Sequence, residues 1–140
     1  MPENLELTVA SDPQNLARIA EFVMDAALRL GLGEQQAFEV QMATDEACTN
    51  IIEHAYGLGR AGEIHLTCGL EGDDLVVTIR DRGCTFEPDQ VPEPDRACSL
   101  EDRLIGGLGL FFMRRLMDRL VFHCDPDRGN ELKMYKRRNP

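Results

Sequence analysis

Three short stretches of this 140-residue chain carry side chains whose types and spacing could do chemistry. In the first, Glu46, Asn50 and His54 recur at i, i+4 and i+8, which on an α-helix aligns them along one face. A carboxylate one turn before a carboxamide suits a phosphate site. The amide oxygen of Asn50 can ligate Mg²⁺, a hard cation that prefers oxygen. Glu46 can then take the proton of a hydroxyl attacking a γ-phosphate. Glu53 lies at the edge of this face, and Val40, Ala43, Ala47 and Ile51 form another side that can be buried. Polar residues at this spacing are also what a solvated helix face shows, and His54 near a helix end is equally readable as a packed structural histidine.

The second stretch is Asp81-Arg82-Gly83, directly after a strand pattern. An aspartate at a strand end can accept a hydrogen bond from an exocyclic amine, and Gly83 allows a sharp turn and close backbone approach. The same tripeptide also serves ordinary turns. The third is Ile105-Gly106-Gly107-Leu108-Gly109-Leu110, where glycines leading into a helix expose N–H groups at its positive end and suit phosphate, or simply allow close helix packing. No Gly-Lys-Ser/Thr follows and no strand precedes, so this is neither a Walker loop nor a dinucleotide fingerprint. The order of the three is coherent: metal and base, then a purine-directed acid, then a phosphate loop.

The elements that must position these residues follow from periodicity. Leu5, Leu7 and Val9 alternate as an opening strand. Ser11 or Asp12 followed by Pro13 caps a first helix, whose apolar positions run from Leu16 to Leu30 before Gly31 and Gly33 end it. A second helix is expected from about Glu34 to Tyr56, stopped by Gly57 and Gly59. Ile64–Leu70 and Leu75–Ile79 alternate about Gly72-Asp73 as a hairpin, and Leu120 and Phe122 with Leu132 and Met134 suggest another. Between them, residues 83–103 carry Pro88, Pro92 and Pro94 among acids with no apolar period, a long loop of the kind used as a lid or binding segment. Leu110, Met113, Leu116 and Met117 line the inner face of a third helix. The expected class is α+β: a two-layer sandwich of a mixed, largely antiparallel sheet with helices on one face, as a single domain spanning 1–140.

Composition narrows the partners. Hydrophobic residues at 43% and charged residues at 29% are an ordinary globular mixture. A net charge of −10 is unsuited to sequence-independent nucleic-acid binding, suits basic protein partners, and also serves plain solubility. Five widely spaced cysteines without a Cys-x-x-Cys pair argue against a disulfide framework or zinc site and for a reducing cytoplasm. No stretch has the length of a membrane span, and Met1–Ala10 lacks a signal-peptide pattern.

At this point the chain meets a family resemblance. Glu46-Ala47-Cys48-Thr49-Asn50-Ile51-Ile52-Glu53-His54-Ala55-Tyr56 resembles the N-box of the GHKL ATP-binding superfamily, in the version found in anti-sigma factor serine/threonine kinases. Asp81-Arg82-Gly83 resembles the start of the next nucleotide box, and Gly106–Leu110 the final glycine box. The run from Leu110 to Asp118 and the closing Gly129-Asn130-Glu131-Leu132 continue the pattern. The likeness spans the second helix to the last strand.

The resemblance implies a Bergerat-type ATP-binding fold. It also implies that Glu46 is the general base for phosphorylating a protein serine or threonine, that Asn50 binds Mg²⁺ and that Asp81 recognises adenine. His54, Gly83, Gly107, Leu108, Gly109 and Asn130 would line the nucleotide, with 83–103 as a lid from which Arg103 would reach a phosphate. Two departures stand out. Gly83 is followed by Cys84-Thr85-Phe86, so a second glycine common in relatives is missing, and Asn130 stands where many relatives have threonine.

The partners implied are a sigma factor and a STAS-domain anti-anti-sigma protein, with a homodimer as the assembly and the first helix, bearing Arg18 and Arg29, as one docking face. The alternative is a nucleotide-sensing anti-sigma protein that sequesters its partner without phosphoryl transfer; retention of Glu46 favours the kinase. A histidine kinase catalytic domain is a third reading, for which residues 1–33 leave no room for a phospho-accepting helical hairpin.

Overall fold

The alternating segments pair into one sheet in a computed structural model that describes residues 4–55, 62–82, 108–125 and 129–138. Strand β1 (Leu5–Ala10) leads to a short 3₁₀ turn at Pro13–Asn15, where the Asp12 carboxylate accepts from the Gln14 N–H at 2.9 Å. Helices α1 (Leu16–Arg29) and α2 (Glu34–Asn50) form an αα-hairpin, joined through Gly31 at φ 104°. Strands β2 (Glu63–Glu71) and β3 (Asp74–Asp81) make the first expected hairpin, turning at Gly72 with φ 61°. Helix α3 (Leu108–Leu116) precedes the second hairpin, β4 (Arg119–Asp125) and β5 (Gly129–Arg137).

The sheet order is β1-β2-β3-β5-β4, and all four pairings among the described residues are antiparallel. Period-2 alternation sends one set of side chains toward the helices. Ile64, Leu66, Cys68, Leu75, Val77, Ile79, Leu132 and Met134 join Ile19, Val23, Val40, Ala43, Ala47, Ile51 and Met113 in a single buried core. The second expected hairpin forms, with Leu120 opposite Met134 and Phe122 opposite Leu132. The other sheet face is not covered by these helices. On it Arg119 stacks over the Tyr135 ring at 4.0 Å, and four residues further along β5 the Arg80 Nε lies 2.8 Å from Glu131 Oε2.

Two local departures bear on the site. Helix α2 leaves α-geometry at Asn50 and continues as a π-helical turn over Ile51–Ala55, instead of running as one α-helix to Tyr56, which lies outside the described residues. The wider turn rotates the chain less per residue than an α-helix does. Second, Lys136 occupies an inward position on β5. Its Nζ donates to the Leu116 carbonyl at 2.5 Å and lies 3.6 Å from Glu39 Oε1, tying the end of α3 and the flank of α2 to the sheet.

Candidate functional site

Antiparallel pairing of β3 with β5 brings residues 49 apart in sequence face to face, and the last pair of that ladder is Asp81↔Asn130. Both side chains point to the helix side and are almost fully buried, at 4% and 5% exposure. Asn130 Nδ2 donates to Asp81 Oδ1 at 3.1 Å. A buried polar group needs such a partner, because leaving it unsatisfied costs about 1–3 kcal/mol.

The backbone beside this pair leaves no slack. Gly129 has φ 91°, and a Cβ placed on it would lie 2.4 Å from the Asp81 carbonyl oxygen. Only glycine therefore lets β5 start at this separation from β3. Asp81 and Asn130 were each singled out in the sequence; their mutual bond was not.

Helix α2 passes beside the same strand end. Cys48, fully buried on its inner side, has its thiol pKa pushed up first by burial and then by the Asp45 and Asp81 carboxylates. Glu46 and Asn50 are half-buried. At 3.6 residues per turn they sit about 40° apart, on the flank of the buried Val40–Ala43–Ala47–Ile51 stripe rather than on the outer back of the helix. A flank position at the seam between helix and sheet lets a side chain reach a molecule held against the strand ends.

At the third stretch, α3 begins at Leu108, with Gly109 half-buried in its first turn and Met113 and Met117 buried below. Helix α3 packs on α2, so its N-terminal end and the Glu46–Asn50 flank belong to one layer. Gly83, Gly107, Arg103 and the loop 83–103 lie outside the described residues, as do the side chains of His54 and Leu108. Among the described residues no three His, Cys, Asp or Glu side chains cluster as a metal cage. Mg²⁺ does not require one, since it commonly takes one or two protein oxygens and completes its shell with phosphate and water; a carboxamide such as Asn50 fits that role.

Sequence reasoning missed Lys136. It continues the alternation Leu132, Met134, Lys136, so its inward orientation was readable from the pattern, although its charge argued for solvent.

Residues 9–136 match the family described as the histidine kinase-like ATPase domain. The serine-protein kinase RsbW of Halalkalibacterium halodurans is 32% identical over 139 residues, covering 96% of this chain and 83% of the relative. RsbW of Bacillus subtilis is 33% identical, with 81% and 74% covered, and the serine/threonine-protein kinase BtrW of Bordetella bronchiseptica is 35% identical, with 69% and 68% covered. A crystal structure of the RsbU and RsbW domains of a Mycobacterium tuberculosis protein shares the fold. The TM-score is 0.69 at 16% identity, over 99% of this chain and 33% of that one. The chain belongs to the histidine kinase-like ATPase family and, within it, to the serine-protein kinases of the RsbW type.

Proposed function

We propose that this protein is an anti-sigma factor kinase that transfers the γ-phosphoryl group of ATP to a serine or threonine of a STAS-domain anti-anti-sigma protein and, in its other state, holds a sigma factor. The observation that carries the reading is Glu46 standing one turn before Asn50, at the edge of the layer that meets the buried Asp81–Asn130 pair.

In this reading Asp81 accepts a hydrogen bond from the 6-amino group of adenine. Glu46 accepts the proton of the attacking hydroxyl as its oxygen bonds to the γ-phosphorus and the bond to the β-phosphate oxygen breaks, with ADP leaving. Asn50 would hold Mg²⁺ through its amide oxygen; bound there, the ion would neutralise charge on the phosphates. Gly83, Gly107, Leu108, Gly109 and His54 would line the nucleotide, and the loop 83–103 would close over it.

The protein works in the cytoplasm as a homodimer. In support, no described helix is long and apolar enough to cross a membrane, and the sheet face away from the helices presents Val121 at 42% exposure beside the Arg119–Tyr135 stack. Light scattering should then give about twice the 15.7 kDa chain mass, and a monomer at high concentration would remove the dimer.

Two measurements test the main reading. Calorimetry with ATP, ADP and GTP, with and without Mg²⁺, should show metal-dependent adenine-nucleotide binding that rejects GTP. Incubation with labelled ATP and a candidate STAS-domain protein should leave phosphate on that protein as an ester. ATP binding and sigma-factor capture without any transfer would replace the kinase with the sequestering alternative.

A further inference from the structure

We propose that Thr8, with His65 as its base, is a self-acylation site on the outer face of the sheet, taking the acyl group of a small uncharged activated ester. The site shares no residue with the proposed ATP site and lies on the sheet face opposite the helices.

Alternation along β1 turns Leu5, Leu7 and Val9 toward the core and leaves Glu6 and Thr8 exposed on the other face. Antiparallel pairing sets Thr8 directly opposite His65 of β2, which stands between the buried Ile64 and Leu66. Thr8 Oγ1 lies 2.6 Å from His65 Nδ1, and the other ring nitrogen, Nε2, lies 3.7 Å from Glu6 Oε1. A carboxylate only accepts, and its charge favours the ring proton on the nitrogen nearer to it. Nδ1 then carries the free lone pair, so the Thr8 hydroxyl donates to it. A hydroxyl bonded to a base that a third group orients is the arrangement of an activated nucleophile. The strand order β1-β2-β3-β5-β4 keeps this cluster at the far side of the sheet from the Arg119–Tyr135 stack.

With a donor against the strand, Thr8 Oγ1 attacks the ester carbonyl carbon while its proton passes to His65 Nδ1. The tetrahedral adduct collapses by breaking the carbon–oxygen bond to the leaving group, which departs with the electron pair. The imidazolium then gives its proton to that oxygen or to water. The products are one ester on Thr8 and one alcohol or phenol. Exposure lets a small donor reach the hydroxyl from solvent. The net charge of −10, with Glu6 beside the base, repels anionic donors and favours uncharged ones. Acylation consumes the nucleophile, so each chain takes one group.

The experiment exposes the full chain to p-nitrophenyl acetate and reads p-nitrophenol release, peptide masses and thermal melts. The wild type should carry an acetyl group on Thr8 that hydroxylamine removes, as it does an ester, and should release more p-nitrophenol than Thr8→Val. Thr8→Ser, which keeps the hydroxyl, should retain the reaction. His65→Gln keeps an acceptor beside the hydroxyl but no base, and should slow acetylation about 100-fold with the melting temperature unchanged. Glu6 acts through the ring as a positioning residue. Glu6→Gln should slow the reaction about 3-fold, and the imidazole ¹⁵N shifts of His65 should move from the Nε2-protonated tautomer toward a mixture. Equal release by the wild type and Thr8→Val, or acetylation of Thr8 at an unchanged rate in His65→Gln, overturns the proposal and leaves the pair as a cross-strand hydrogen bond alone.

Discussion

The sheet end and the helix end of the candidate site are built on opposite terms. At the sheet end, Asp81 and Asn130 are buried, bonded across the last rung of a ladder and wedged by Gly129. At the helix end, Glu46 and Asn50 are half-buried on the flank of α2, which changes from α to π geometry immediately afterwards. The difference matches what each end would meet in the proposed function. A base of fixed shape is best read by groups that cannot move, while a hydroxyl belonging to another protein must be reached by a group with one side open. Changes at the sheet end should therefore disturb folding and nucleotide choice together, and changes at the helix end should disturb transfer alone.

The strongest way to break that contrast is Glu46→Gln. Phosphoryl transfer to the partner protein should fall at least about 100-fold, the usual worth of a positioned base, with ATP affinity and melting temperature nearly unchanged. Unchanged transfer would end the assignment of Glu46. Next in size, Gly129→Ala should cost about 2–3 kcal/mol, because the new methyl meets the Asp81 carbonyl and the backbone sits at a φ that alanine resists. Denaturant unfolding would register it, and ATP binding should weaken in parallel.

A smaller loss tests the link between the ends. Lys136→Met removes the bond to the Leu116 carbonyl and the ion pair with Glu39, and should cost about 1–2 kcal/mol. The smallest effect belongs to Arg80→Ala on the opposite sheet face. Its ion pair with Glu131 joins the same two strands as Asp81 and Asn130 but is largely in water, so the change should stay below about 0.5 kcal/mol. If Arg80→Ala proved as damaging as Gly129→Ala, burial would not be what distinguishes the two faces.

Much of this was legible before any coordinates. Alternation located both hairpins, and Leu120 and Phe122 share the second with Met134 and Leu132. The box residues Glu46, Asn50, Asp81 and Asn130 were all named. Their joint geometry was not legible, for a physical reason. Local periodicity reports which face a residue lies on, whereas the Asp81–Asn130 bond depends on β5 rather than β4 joining β3, a choice made between distant segments. The π turn was missed because an i+4 repeat reads as α-helix by default.

Two buried thiols among the described residues give the folded chain a clock. Burial pushes the Cys68 pKa up to about 12, and Cys48 is raised by burial and by its acidic neighbours, so neither supplies thiolate while the core is closed. Folding thus retains protons that the unfolded chain releases above its ordinary thiol pKa. Stability should be intact below about pH 9 and decline as pH rises toward about 12. With Cys84, Cys98 and Cys124 replaced by serine, the rate at which an alkylating reagent captures Cys48 would measure how often α2 lifts from the end of β3. A bound nucleotide that staples those two elements together should slow that capture, while Cys68, on β2 away from the strand end, would keep the time of global unfolding.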